Sequence, residues 1–102
     1  MEHVAYILES NKGLKVGQTN NIKRRVGEIK NAIVKAIIKV PDRVSAEVIE
    51  SALRYYYVND MNGTRIGTDW IADVEFDSNF MEDERIKTVL RIYNAKEIIF
   101  PL

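Results

Sequence analysis

The period of apolar positions changes several times along the chain, and each change marks an element. Residues 3–9 (His-Val-Ala-Tyr-Ile-Leu-Glu) are apolar and β-branched enough for a strand, and Ser10-Asn11-Lys12-Gly13 is a turn signal. Leu14 to Gln18 supply a second short strand, which Gly17 breaks. Asn20 then offers an N-cap to a helix on which Ile22, Val26 and Ile29 recur at helical spacing. Ala32 to Val40 is rich in β-branched residues and ends at Pro41, which predicts a third strand, central and antiparallel to its neighbours. Pro41-Asp42 turns the chain, and Ser45 caps a second helix that begins at Ala46 and lasts to about Val58, with Val48, Ala52, Tyr55 and Tyr56 on one face.

The remainder reads as loop, edge and helix. Asn59 to Thr68 is a loop, with Asn62-Gly63 and Gly67 as turn chemistry, and Ile71 to Phe76 is a short strand or extended edge. Ser78 or Asn79 caps a third helix with Ile86, Val89, Leu90 and Tyr93 as its buried stripe. Its first turn carries Glu82, Asp83 and Glu84, which suit the helix dipole. The closing Ile98-Ile99-Phe100-Pro101-Leu102 is apolar enough to pack on the domain or on a second subunit. The expected fold is therefore α+β: a small antiparallel three-stranded sheet (hairpin, helix, third strand) flanked by helices. Residues 1–102 form one domain, with a core at 3–58 and an accessory region at 59–102.

Composition narrows the class. A chain of 102 residues makes one small domain, and 46% hydrophobic residues with 2 prolines and 5 glycines describe a folded protein. Cysteine is absent, so there is neither a disulfide framework nor a thiolate zinc site. No apolar run spans a bilayer and the first residues lack a signal-peptide plan, so a cytoplasmic protein is expected. The formal net charge is zero, which by itself argues against nucleic-acid binding. The distribution says otherwise. Between Lys12 and Lys39 the only acid is Glu28, against Lys12, Lys15, Lys23, Arg24, Arg25, Lys30, Lys35 and Lys39, whereas acids dominate after Pro41. One basic face can hold phosphate while the other side repels it, although small soluble domains also show such unevenness without binding anything.

Helical geometry separates the charges. On the first helix Arg25 lies at the edge of the apolar stripe and reaches back over the hairpin, while Arg24 points nearly opposite, to water, and Lys23 and Lys30 flank the other side. On the second helix Glu47 points away from the apolar stripe and Glu50 lies on its margin. The plain reading of Glu50 is an i,i+4 pair with Arg54, worth about 0.2–0.5 kcal/mol.

This order of parts resembles the catalytic domain of the GIY-YIG nuclease superfamily. Val4-Ala5-Tyr6 stands at the first signature, Lys15-Val16-Gly17 at the second, and Arg25 at the helix arginine; Tyr6, Gly17 and Arg25 are identical to the defining residues. Lys-Val-Gly-Gln-Thr followed by a basic helix resembles the phage-associated branch, which often has lysine for the second tyrosine. Ala46-Glu47-Val48-Ile49-Glu50-Ser51-Ala52-Leu53 fits the pattern around that family's metal-binding glutamate, which implies Glu50 as the ligand; histidine commonly stands where this chain has Arg54. Gly67-Thr68-Asp69-Trp70 resembles the Glu-Trp-Phe element of some members, with Trp70 expected as a packing residue. An Asn62-Gly63 turn accounts for Asn62 without a functional role.

The resemblance implies a Mg2+-dependent phosphodiesterase acting on DNA, with RNA as a second possibility. Glu50 would hold the ion together with water and phosphate oxygens. Arg25 would stabilise the phosphoryl charge, Tyr6 would orient or deprotonate the attacking water, and Lys15 would be the cation that favours its phenolate. Lys12, Lys23, Arg24, Lys30 and Arg54 are the expected nucleic-acid contacts. A binding module without catalysis, for nucleic acid or a protein partner, is the alternative; a homodimer through the apolar C-terminus is a third reading. The turn decides whether Lys15 can act on Tyr6 at all. A two-residue loop at Asn11-Lys12 sets Leu8 opposite Lys15 and puts Lys15 on the face of Tyr6, whereas a bulge at Gly13 sets Glu9 opposite Lys15 and turns it to the other face. Gly13 is well placed for the bulge, whereas the catalytic reading requires the same-face arrangement, and that arrangement is expected here.

Overall fold

The hairpin forms where the alternation places it. In the computed structural model, which describes residues 2–101, β1 (His3–Ser10) and β2 (Gly13–Thr19) pair antiparallel across a two-residue loop, with Ser10 opposite Gly13 and Leu8 opposite Lys15. Gly13 has φ 123° and lies so close to Ile71 and Ala72 that a Cβ would sit 2.9 Å from the Ile71 carbonyl carbon. The chain then enters α1 (Ile22–Gly27), capped by Asn21 rather than Asn20: the Asn21 side chain accepts from the Arg24 amide at 3.1 Å. β3 (Ile33–Val40) returns antiparallel to β1, with one irregularity opposite Ile7 and Leu8 that leaves Lys35 as the extra residue.

Helix α2 (Arg43–Tyr55) starts earlier than Ser45 predicts. Asp42 is its cap and accepts from the Ser45 amide at 2.8 Å. Its last turn widens into a π-helical turn, Tyr56–Asp60. The buried stripe is Ala46, Ile49, Leu53, Tyr56 and Tyr57, whereas Tyr55, expected inside, is exposed. Beyond it lie β4 (Thr64–Ile66), within the expected loop, and β5 (Trp70–Ala72). A 3-10 turn at Ser78–Glu82, capped by Asp77, leads to α3 (Glu84–Ile92), capped by Asp83; neither Ser78 nor Asn79 serves as cap. Ile86 and Leu90 are its buried residues. Finally β6 (Glu97–Ile99) pairs with β3, and Phe100 packs 6.1–6.4 Å from Phe76 and Phe80, so the apolar tail is used within the domain. Leu102 lies outside the described residues.

The α+β class holds, but among the described residues the sheet has six strands, not three, in the order β4-β5-β2-β1-β3-β6, every neighbouring pair antiparallel. Its two faces bury different clusters. Ala5, Ile7, Leu14, Val16, Ala36 and Ile38 face α2 and α3. Val4, Tyr6 and Leu8 face α1, meeting Ile22, Val26 and Ile29. Each fully buried Ile or Leu contributes about 1.5–3 kcal/mol, so the larger cluster under α2 dominates cohesion. Among the described residues no helix is long and apolar enough to cross a membrane.

Gly17 does not break β2. It is paired with Tyr6, and the Tyr6 ring lies across it: a Cβ at Gly17 would stand 2.5 Å from Tyr6 Cζ. Gly17→Ala is therefore expected to cost about 1–3 kcal/mol by overpacking. A urea titration checks this; an unchanged midpoint would mean that the ring has room to move aside.

Candidate active site

Tyr6 is the centre of the site. Its ring is buried, with 2% of the residue exposed, and lies over Gly17 toward the outer edge of β2. That edge is open at this point, because β5 pairs with β2 only at Leu14 and Lys15. The α1 and α2 faces of the sheet therefore communicate around Val16 and Gly17. From the α2 side Arg54 reaches round and donates to the Val16 carbonyl at 3.0 Å, where a continuing β5 would have bonded. The same Nη2 lies 3.1 Å from Glu50 Oε2. The Glu50–Arg54 pair is thus real, but it is not a surface pair: the side chains are 19% and 23% exposed, and the guanidinium is anchored to the sheet. Arg54, expected as a nucleic-acid contact, is instead turned inward as the clasp that positions Glu50.

Arg25 arrives from the α1 side. Its Nε is buried and lacks a hydrogen-bond partner among the described residues; the nearest carboxylate, Glu28, is 3.9 Å away. A buried donor left unbonded costs about 1–3 kcal/mol. The three elements meet electrostatically at the phenol. Burial raises the Tyr6 hydroxyl above its ordinary value of about 10; Arg25 pulls it down, and Glu50, Asp69 and Glu28 push it up.

Lys15 does share the face of Tyr6, as the register of Leu8 opposite Lys15 requires. Its amine, however, has other partners. The ammonium is 3.6 Å from Asp69 and 5.8 Å from the Trp70 ring centroid, and the cation that favours the phenolate is Arg25. Since burial outweighs Arg25, Tyr6 is a neutral phenol near pH 7, which suits orienting a water better than deprotonating it.

The basic surface sorts itself by pairing. Lys35 and Lys39 are neutralised by Glu9 and Glu97 at 3.5 and 3.3 Å. Lys12, Lys23, Arg24 and Lys30 are exposed, and among the described residues none lies within 4.0 Å of a carboxylate. Two shallow depressions flank the end of β2. One, of about 180 Å3, is lined by Gln18, Asn20, Arg24, Arg25 and Arg43; the other, of about 290 Å3, by Ser51, Arg54, Tyr55 and Arg65. A larger apolar hollow of about 510 Å3 between α2 and α3 contains none of the predicted residues. Sequence reading missed Arg43 and Arg65; the only signal available was their charge.

No group of three or more His, Cys, Asp or Glu side chains is poised for a metal among the described residues. A single-carboxylate Mg2+ site does not need one, because the ion keeps several waters and takes ligands from phosphate. Glu50 is partly exposed, and the Arg54 bond occupies Oε2 while no protein hydrogen bond reaches its other oxygen among the described residues, so it fits that modest role. Comparison with protein families, with curated proteins and with solved structures returned no match.

Proposed function

We propose that this chain is a Mg2+-dependent phosphodiesterase of GIY-YIG type that cleaves nucleic acid, DNA in the first place. The observation that carries the reading is the electrostatic coupling of the buried Tyr6 phenol to Arg25 of α1 and Glu50 of α2, beside a β2 edge that β5 leaves open after Lys15. Arg25, whose side chain is 39% exposed, presents the accessible part of its guanidinium to a phosphoryl oxygen, which binds the substrate and favours the charge that gathers there during transfer. Tyr6 holds a water by hydrogen bond at the same edge. Glu50, steadied by Arg54, would hold the ion, which when bound supplies Lewis-acid polarisation of the phosphate. Lys12, Lys23, Arg24 and Lys30 hold the flanking backbone through charge alone.

Supercoiled plasmid incubated with Mg2+, with and without a chelator, tests the reading: nicked or linear product should form only where the ion is free. One observation favours a binding module instead, namely that Glu50 already has a cationic partner in Arg54. Under that reading plasmid is retarded on a gel and never cut.

Tyr6→Phe separates the two duties of the tyrosine. Because the Tyr6 value is raised above 10, the phenol keeps its proton from pH 6 to 9. The variant should lose about tenfold or more in kcat, with the shape of the pH–rate profile over that window unchanged. A basic limb that disappears in Tyr6→Phe would instead make Tyr6 the base. The sign for stability is also fixed: a hydroxyl raised on folding leaves stability intact below pH 10 and loses it as pH climbs through the folded value. Wild type should therefore weaken above pH 10 relative to Tyr6→Phe in urea titrations.

A further inference from the structure

Trp70, expected in the core, belongs to neither hydrophobic cluster and is only half-buried. It pairs with Lys15 on one side and Ile66 on the other, and Lys15 pairs with Leu8. Directly opposed residues in an antiparallel sheet share a face. Ile66, Trp70, Lys15 and Leu8 therefore form one row on the Tyr6 face, and α1 packs only on the Leu8 end of it. At the uncovered end Ile66 is 51% exposed, beside an indole with the Lys12 and Lys15 ammoniums 5.7 and 5.8 Å from its centroid. Asp69 is the acid of this patch, held by Lys15.

We propose that the β4–β5 end of the sheet is a stacking platform for an unpaired nucleobase, so that the preferred substrate is single-stranded, frayed or branched nucleic acid. The inference rests on the nuclease reading and names its substrate class. The occupant follows from the chemistry: a partly exposed aromatic ring flanked by two ammoniums fits a polyanion that carries π faces. A duplex keeps its bases stacked inside, so only an unpaired base reaches the ring. An ammonium over a partly exposed indole is held weakly, and base–aromatic stacking is the stronger contact. The base displaces the lysines from the ring, and their charges turn to the adjoining phosphates. Strand geometry sets Trp70 about 8 Å from Gly17, one strand over and two residues along, which is within reach of a neighbouring nucleotide.

Trp70 is the single tryptophan of the chain, so its emission reports on the platform directly. The full chain is titrated, in chelator to prevent cleavage, with fluorescein-labelled oligothymidylate and with a labelled duplex of equal length, following label anisotropy and indole emission together. Indole emission should quench in step with single-strand anisotropy and stay unquenched at equal duplex occupancy. Trp70→Ala should weaken single-strand binding about tenfold or more, Trp70→Phe by less than about threefold, and neither should alter duplex binding. The wild-type quench needs no variant to fold. Single-strand binding without quenching overturns the platform and leaves the nuclease reading to the plasmid assay; binding of neither oligonucleotide overturns both.

Discussion

Glu50→Gln should abolish plasmid cleavage, by a factor on the order of a thousand if the ion's share of transition-state stabilisation is several kcal/mol. Stability should scarcely move. A glutamine oxygen still accepts from Arg54, and Arg54 keeps its bond to the Val16 carbonyl, so the change should stay within about 1 kcal/mol. Oligonucleotide affinity in chelator should also survive, because the free cations are elsewhere. Glu47→Gln is the internal control: Glu47 is paired with Arg43 at 2.8 Å on the exposed side of α2 and should remain active. Comparable loss in both variants, or cleavage that persists in a strong chelator, would remove Glu50 from the metal.

Arg25→Ala should lower kcat by about 10²–10³, the range for losing one preorganised donor to developing charge. Arg24→Ala, one residue away, should leave kcat alone, weaken affinity and reduce the salt slope by about 0.9, one phosphate contact. The structure sharpens this contrast. Arg24 is exposed with no carboxylate partner among the described residues, whereas Arg25 is partly buried, has an unbonded Nε and acts electrostatically on the phenol. Removing Arg25 also removes that unsatisfied donor, so the folded state should tolerate the loss. If the domain only binds nucleic acid, both variants will show the same modest, salt-sensitive loss, and no turnover will disappear.

The parts of the site that were legible in sequence are those fixed by short-range rules. Alternation located the hairpin, but turn chemistry at Gly13 leans toward a bulge, and the two-residue loop with its Leu8–Lys15 register is expected only because the catalytic reading needs Lys15 on the Tyr6 face. The placement of Arg25 and Glu50 followed from helical phase. Three kinds of information were not local. Strands of three residues, such as β4, β5 and β6, carry no measurable period, so a six-stranded sheet looked three-stranded. Gly17 reads as a breaker to any rule that ignores tertiary contacts, yet its lack of a side chain is what admits the Tyr6 ring. Arg54 bonds a carbonyl 38 residues earlier in the chain, which no spacing rule can see. The caps erred by one to five residues because Asn, Asp and Ser recur close together before each helix, and only backbone geometry chooses among them.

Where β5 stops at Lys15, the rest of β2 is left as a bare strand edge, and such edges recruit other chains. Arg54 occupies the Val16 carbonyl there with a charged, planar group that cannot extend a ladder. The clasp of the carboxylate thereby also blocks a seventh strand at that carbonyl.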